Sequence, residues 1–353
     1  MRKAKLGLFS LLIILGVFLA GCSSSDNQNS DTADQDSTRS EENSTDTQYY
    51  FTANEGGSIS KIDASANKVV KTIEVEGAVH NVQVSPDGKV LGATVVPEMN
   101  HEGSSMEMSG QALFFDTSTN ELLKTVEVGN HPAHIVFTEN GKYALVTNNE
   151  DNTVSVIDTE TYKVTNTIET GEGPHGFRIS SDSQTAYIAN MNEDTISVLN
   201  LETLTEEKKI TVGSTPVTTG ITTDGKMLVA TVNSENMLAI VDLETKQVEK
   251  VAVGEGPAQV YIEPKNQFAY VANQGTENKP SNSVSVVDLA SKTVIATIET
   301  GKGSHGVVTS SDGKRLYVTN MYEDTVSIID TEQNKVIDTI NVGEIPNGIS
   351  IMK

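Results

Sequence analysis

Tryptophan is absent from the chain, and cysteine occurs once in 353 residues. One cysteine excludes an intramolecular disulfide and a cysteine-ligated metal centre, and no Cys-x-x-Cys-His haem attachment is present. Basic residues are also scarce, with 25 Lys and Arg against 48 Asp and Glu and a formal net charge of −23. Nucleic acid needs a basic patch that this composition does not supply, so it is disfavoured as a partner; cations and cationic ligands suit it better. No window sustains a 3.6-residue apolar period, which argues against a helical fold. A Gly-x-Ser-x-Gly nucleophile elbow is missing as well.

What is present is a repeat. Tyr143-Ala-Leu-Val-Thr-Asn148 followed by Val154-Ser-Val-Ile-Asp158 recurs as Tyr187-Ile-Ala-Asn190 with Ile196-Ser-Val-Leu-Asn200, as Tyr270-Val-Ala-Asn273 with Val284-Ser-Val-Val-Asp288, and as Arg315-Leu-Tyr-Val-Thr-Asn320 with Thr325-Val-Ser-Ile-Ile-Asp330. A Gly-x-Gly-Pro-His-Gly type of segment precedes each copy. Its fifth position falls at His80, Ala133, His175, Val217, Ala258, His305 and Asn347, mostly 41 or 42 residues apart, with insertions after His80 and after Ala258. Seven occurrences predict seven units.

Each unit reads as four short strands: runs of Val, Ile, Thr and Tyr broken by Gly, Asn, Asp and Pro. Ser85-Pro-Asp-Gly88, Thr222-Thr-Asp-Gly225 and Ser310-Ser-Asp-Gly313 supply the first hairpin turn. Four antiparallel strands in about 40 residues make a propeller blade. Residues 50–54, 58–63 and 69–75 form three strands without a first, and 348–352 form a first strand with nothing after it. The pattern therefore predicts an all-β, seven-bladed β-propeller of four-stranded antiparallel blades, closed by N-terminal strands pairing with the C-terminal strand. Asp63, Asp116, Asp158, Asp242, Asp288 and Asp330, with Asn200 in the remaining unit, end each third strand and read as turn caps.

The Tyr-Val-Thr-Asn signature, the Val-Ser-Val-Ile-Asp strand and the Thr-Ile-x-Val-Gly-x-x-Pro connection resemble the YVTN β-propeller repeat family, over residues 48–353. The resemblance implies the fold and an affinity with bacterial surface-layer and secreted proteins. It leaves function open, since propellers of this kind include lactonases, cofactor carriers and plain binding platforms.

Arg2, Lys3 and Lys5 precede an apolar stretch, 6–20, that ends in Leu-Ala-Gly-Cys22. This looks like a bacterial lipoprotein signal spanning 1–21, with Cys22 lipidated; the apolar run is short for a membrane span. Residues 22–48 are rich in Ser, Asp, Asn and Thr and read as an acidic, disordered tether, and 49–353 as the propeller. The net charge without the leader's three basic residues is −26. The reading is of an extracytoplasmic protein held on the cell membrane by its lipid, with a Gram-positive surface favoured.

The informative positions are those that break the repeat. Two strand reversals put the Gly-x-Gly-Pro-His-Gly segments and the loops after Tyr-Val-Thr-Asn on one face, around the mouth of the central channel. There His80, His175 and His305 occupy the fifth position of the first, third and sixth units, a nearly even spread around the ring. The same units carry Met99, Met191 and Met321 in the neighbouring loop, and the insertion of the first adds His101, Met106 and Met108. Exposed methionine is unusual, and thioether with imidazole is a copper-ligating set. Glu193, Asp194, Glu323 and Asp324 nearby raise the local cation concentration. His131 and His134 stand out of register and read as loop or strand-start residues.

Two readings of these residues stand open. One is a copper site; the other is structural histidine that hydrogen-bonds neighbouring connections, since the third and sixth units are near-duplicates. At the level of function the chain reads as a tethered module binding a ligand, a protein or copper. The alternatives are a purely structural surface protein and a lactonase-like hydrolase at the channel mouth. Hydrolysis asks for a histidine beside a carboxylate with an arginine close by, and Arg178, two residues after a His-Gly pair, is the arginine at hand.

Overall fold

A computed structural model describes residues 48–97 and 109–353, which fall in one compact unit, Asp46–Lys353. The lipoprotein signal, Cys22, the tether and the insertion bearing Met99, His101, Met106 and Met108 lie outside the described residues.

Seven four-stranded antiparallel sheets make up the ring. In blade order the innermost strands are Ala78–Val84, Pro132–Phe137, Pro174–Ile179, Pro216–Ile221, Pro257–Ile262, Ser304–Thr309 and Pro346–Ile351. The seventh blade pairs Pro346–Ile351 with Tyr49–Asn54, in the register Tyr50 to Ile351 and Thr52 to Ile349. Strands from the two ends of the sequence thus close the ring, leaving no open edge between them. The insertion after Ala258 is a lengthened hairpin, Phe268–Thr276 against Lys279–Asp288.

Inner strands are mostly buried, Pro132–Phe137 along its whole length, whereas outermost strands such as Lys163–Glu169 are largely exposed. The core is not one body. Each of seven apolar clusters lies between two adjacent blades; one joins Leu145, Val154 and Val156 of the second blade to Phe177 and Ile188 of the third. Propellers grow by adding such interfaces instead of thickening a single centre.

Buried asparagines explain the Tyr-Val-Thr-Asn signature. The Asn148 amide donates to Thr153 Oγ1 (3.0 Å) and Ser155 Oγ (2.9 Å) on the next strand, while its oxygen accepts the Gly129 N–H (3.1 Å) from the connection entering the blade. Asn190 and Asn320 donate in the same way to Thr195 and Ser197, and to Thr325 and Ser327. The glycine is required because a Cβ at Gly129 would lie 2.6 Å from the Asn148 side chain. The third-strand aspartates are turn caps: Asp116 Oδ1 accepts the N–H groups of Ser118 and Thr119, both at 2.8 Å, and the Ser118 hydroxyl at 2.6 Å. These bonds, led by the Ser118 hydroxyl, hold the Asp116 carboxyl down at about 2. Asp63, Asp158, Asp242, Asp288 and Asp330 are lowered by equivalent bonds.

Two outcomes follow for stability. Asn148→Ala strips partners from buried groups on three chain segments and should cost about 2–3 kcal/mol in urea unfolding. Carboxyls lowered in the folded state stabilise it above their unfolded pKa, 3.8 for Asp116, and that contribution is lost as pH falls. The urea midpoint should therefore be flat above pH 5 and drop steeply between pH 4 and about 2, and Asp116→Asn should flatten part of the drop; a midpoint independent of pH over that range would contradict the assignment.

Candidate functional site

The channel wall is built from the start of each innermost strand. In the third blade Pro174 pairs with Asn190 and Phe177 with Ile188, so His175 and Gly176 oppose the single residue Ala189. The same irregularity recurs at Pro132 to Ile135, Pro216 to Thr219, Pro257 to Val260 and Ser304 to Val307. Such a bulge re-aims side chains that strict alternation would send to opposite faces.

The threonine of the repeat fastens the bulge. Thr147 Oγ1 accepts the His134 N–H (2.9 Å) and donates to the carbonyl of His175 in the next blade (2.8 Å). Thr94, Thr231 and Thr319 bridge their own bulges to the next blade in the same way. One hydroxyl thus sets both the local backbone and the spacing of channel-lining residues on adjacent blades.

Three histidines meet there, from the first, second and third blades. The ligating nitrogens of His80, His134 and His175 all lie within 4.8 Å of one another. His80 Nε2 is 3.2 Å from His175 Nε2. The ring of His134 is 5.0 Å, centre to centre, from His175 and 6.0 Å from His80.

Hydrogen bonds fix the tautomers of two rings. His80 Nδ1 lies 2.8 Å from Glu55 Oε1, so its Nδ1–H donates to the carboxylate. His175 Nδ1–H donates to the Val217 carbonyl (3.1 Å). The two Nε2 atoms therefore face each other at hydrogen-bonding distance. His134 is 1% exposed, and neither of its nitrogens has a hydrogen-bond partner among the described residues.

Electrostatics keep the cluster neutral at its buried end. Burial, reinforced by the neighbouring His80, pushes His175 down to about 3, and burial with the charge of His175 pushes His134 well below the usual imidazole range. Burial works to raise Glu55, but the His80 hydrogen bond and charge outweigh it and hold the carboxyl at about 2. Glu55 also accepts from Asn347 Nδ2 (2.7 Å). A carboxylate behind one imidazole and a carbonyl behind another is the outer arrangement that orients metal-ligating histidines.

The sequence-derived set is divided by this geometry. His80 and His175 come together. His305 stands outside the cluster, with Nδ1 3.3 Å from the Asn347 carbonyl and 3.4 Å from Gln259 Nε2; burial leads its descent to about 4. His134 takes the third place instead of serving as a simple strand-start residue. It occupies the sixth position of the repeat, equivalent to Gly176, so comparing like positions passes over it; the signal was a histidine in a place that is glycine in the third, sixth and seventh blades.

Met321 is 9% exposed and accepts from Gln274 Nε2 (3.2 Å), and Met191 lies in the loop whose N–H bonds the Gly173 carbonyl. The surrounding carboxylates are engaged in loop structure: Glu193 with the Glu172 N–H and Lys209, Glu323 with the Lys302 N–H, Asp324 with the Ile345 N–H. His131 pairs with Glu150 at 3.5 Å on the surface. Glu55 and His80 make a carboxylate–histidine pair, but Arg178, three residues beyond His175 on the third blade's inner strand, lines a chamber that none of the histidines lines.

Among solved structures, hydrazine synthase from Kuenenia stuttgartiensis is similar at 21% identity and a TM-score of 0.66, over 80% of this chain and 93% of that one. A Bacteroides fragilis protein described as a candidate 6-phosphogluconolactonase is similar at 17% identity and a TM-score of 0.70, over 88% and 99%. At these identities the likeness is one of fold. No curated protein matches the sequence. The family model for YNCE-like β-propellers matches residues 95–267 and 271–353. With seven four-stranded blades closed between its ends and that match over most of its length, the chain belongs to the YNCE-like β-propeller family.

Proposed function

We propose that the protein is a lipid-anchored, extracytoplasmic propeller that binds a copper ion through His80, His134 and His175. The observation that supports this most is His134, a buried imidazole with no partner on either nitrogen among the described residues, set beside two rings whose Nε2 atoms face each other at 3.2 Å. For a ring as buried as His134, 1% exposed, two unpartnered nitrogens are costly unless a cation is shared.

The donor set favours a divalent ion. Three neutral imidazoles suit Cu(II) and Zn(II), and the general affinity order places Cu(II) first. Nitrogens about 2.0–2.1 Å from a tetrahedral metal stand roughly 3.3 Å apart, close to the His80–His175 separation; His134 is the ligand that has to draw in. The acidic composition raises the local cation concentration without supplying the ligands. Lipidation at Cys22 would keep the ring at the membrane, where it can take up an ion or pass it to a partner protein.

Two measurements test this. Calorimetric titration of the purified protein with Cu(II) and with Zn(II) should show one tight site, tighter for Cu(II). His80→Ala, His134→Ala and His175→Ala should each weaken it at least roughly tenfold, the worth of one lost ligand or its orienting partner, while His305→Ala leaves it unchanged. Equal loss with His305→Ala, or none with His134→Ala, would sink the three-histidine assignment. For the anchor, Cys22→Ser should move the protein from the membrane fraction to the soluble fraction of expressing cells.

A further inference from the structure

Below the histidines the channel widens into a chamber of about 390 Å³. Its mouth is formed by first-hairpin turns, among them Ser85, Pro86, Ser181, Thr223 and Ser311, so it opens on the face opposite the histidine cluster. The seven innermost strands each contribute the residue three places beyond the fifth position of the repeat. Arg178 is the contribution of the third blade; Gln83, Val136, Gly220, Tyr261, Val308 and Ser350 come from the others. Arg178 is the one charged member of that ring.

Its charge has no carboxylate partner among the described residues. Arg178 Nη1 donates to the Phe177 carbonyl (2.8 Å), its one side-chain hydrogen bond there, leaving most of the five guanidinium donors. Burial disfavours the charge. Two carboxylates line the chamber, and both are committed elsewhere. Glu263 accepts the N–H groups of Lys265 (2.9 Å) and Gln267 (2.7 Å), and Glu139 pairs with Lys353 at 3.2 Å.

Arg178 is half-buried, and a guanidinium partly withdrawn from water without a counter-ion is costly unless something else meets it. In a chain with almost twice as many acidic as basic residues, an acidic neighbour would be easy to place, and the ring position offers none. We infer that the chamber is a binding site for a small organic carboxylate, whose oxygens Arg178 takes as a fork. The planar fork matches a carboxylate in two-point geometry. Lys353 also lines the chamber but is paired with Glu139, so one unpaired positive charge remains to balance a monoanion, whereas phosphate carries about −1.5 to −2 at neutral pH. Phe137, Ile179, Ile262 and Val308 in the wall provide apolar contact for an organic body, and the volume falls within the range of small-molecule sites. The acidic exterior slows anion approach, but beyond roughly 8 Å that field is screened at physiological salt.

The test is a calorimetric titration of the full-length protein with hexanoate, the neutral isostere hexanamide and inorganic phosphate. Hexanoate should bind, hexanamide should not, and phosphate should be weaker than hexanoate. Arg178→Met, which keeps length and apolar volume, should cut hexanoate affinity by a factor on the order of 30 or more while its melting temperature stays at or above that of the parent. Arg178→Lys keeps the charge without the fork and should show an intermediate loss; it carries the test if the methionine variant fails to fold. Equal binding of hexanamide, preference for phosphate, or hexanoate affinity indifferent to both substitutions would each overturn the assignment. His134→Ala should leave hexanoate binding in place, which separates this chamber from the metal site.

Discussion

A buried amide holds the blades in order. In the asparagine blades, the Asn side chain ties the end of the second strand to the start of the third and to the glycine of the connection entering the blade. Three segments that would otherwise present unpaired polar groups inside the ring are satisfied by one residue. The threonine before it extends the bond to the next blade. Together the two side chains carry the geometry of one unit to its neighbour, which lets seven weakly similar units form a closed ring with apolar clusters only between adjacent blades.

This scaffold lets the channel wall vary from blade to blade. The threonine bond is made to backbone N–H and carbonyl groups, so the bulge itself does not dictate the side chains at the fifth and sixth positions of the repeat. Histidine, asparagine, threonine, glutamine and glycine all occur at these places. Three residues further on, a second ring of positions varies as freely and places one arginine among neutral side chains. The two ends of the channel thus have opposite character: clustered imidazoles with a supporting carboxylate on one side, an unpaired guanidinium on the other.

Much of the fold was legible because it rests on local patterns. Alternating Val and Thr runs, Asp-Gly turns and a period near 42 residues report strands, hairpins and blades directly, and the incomplete first and last units report closure. The turn role of Asp63, Asp116 and their equivalents followed from recurrence, since a cap is needed once per blade. The site was legible only in part. His80 and His175 stood out as histidines on the channel mouth, but His305 matched them in sequence and still lies apart, held by Gln259 and the Asn347 carbonyl. His134 was passed over because a bulge, unlike regular alternation, brings the fifth residue of one blade against the sixth of the one before it.

The sequence by itself determined the blade count, the strand order, the closing pair and the turn chemistry, because each depends on residues within one unit or on the period between units. Which histidines converge, and that Arg178 stands in a chamber without a carboxylate, only the tertiary structure decided. Those facts depend on distances across the ring between residues as far apart in sequence as Glu55, His80, His134 and His175, and on bulges whose re-aiming of side chains no period records.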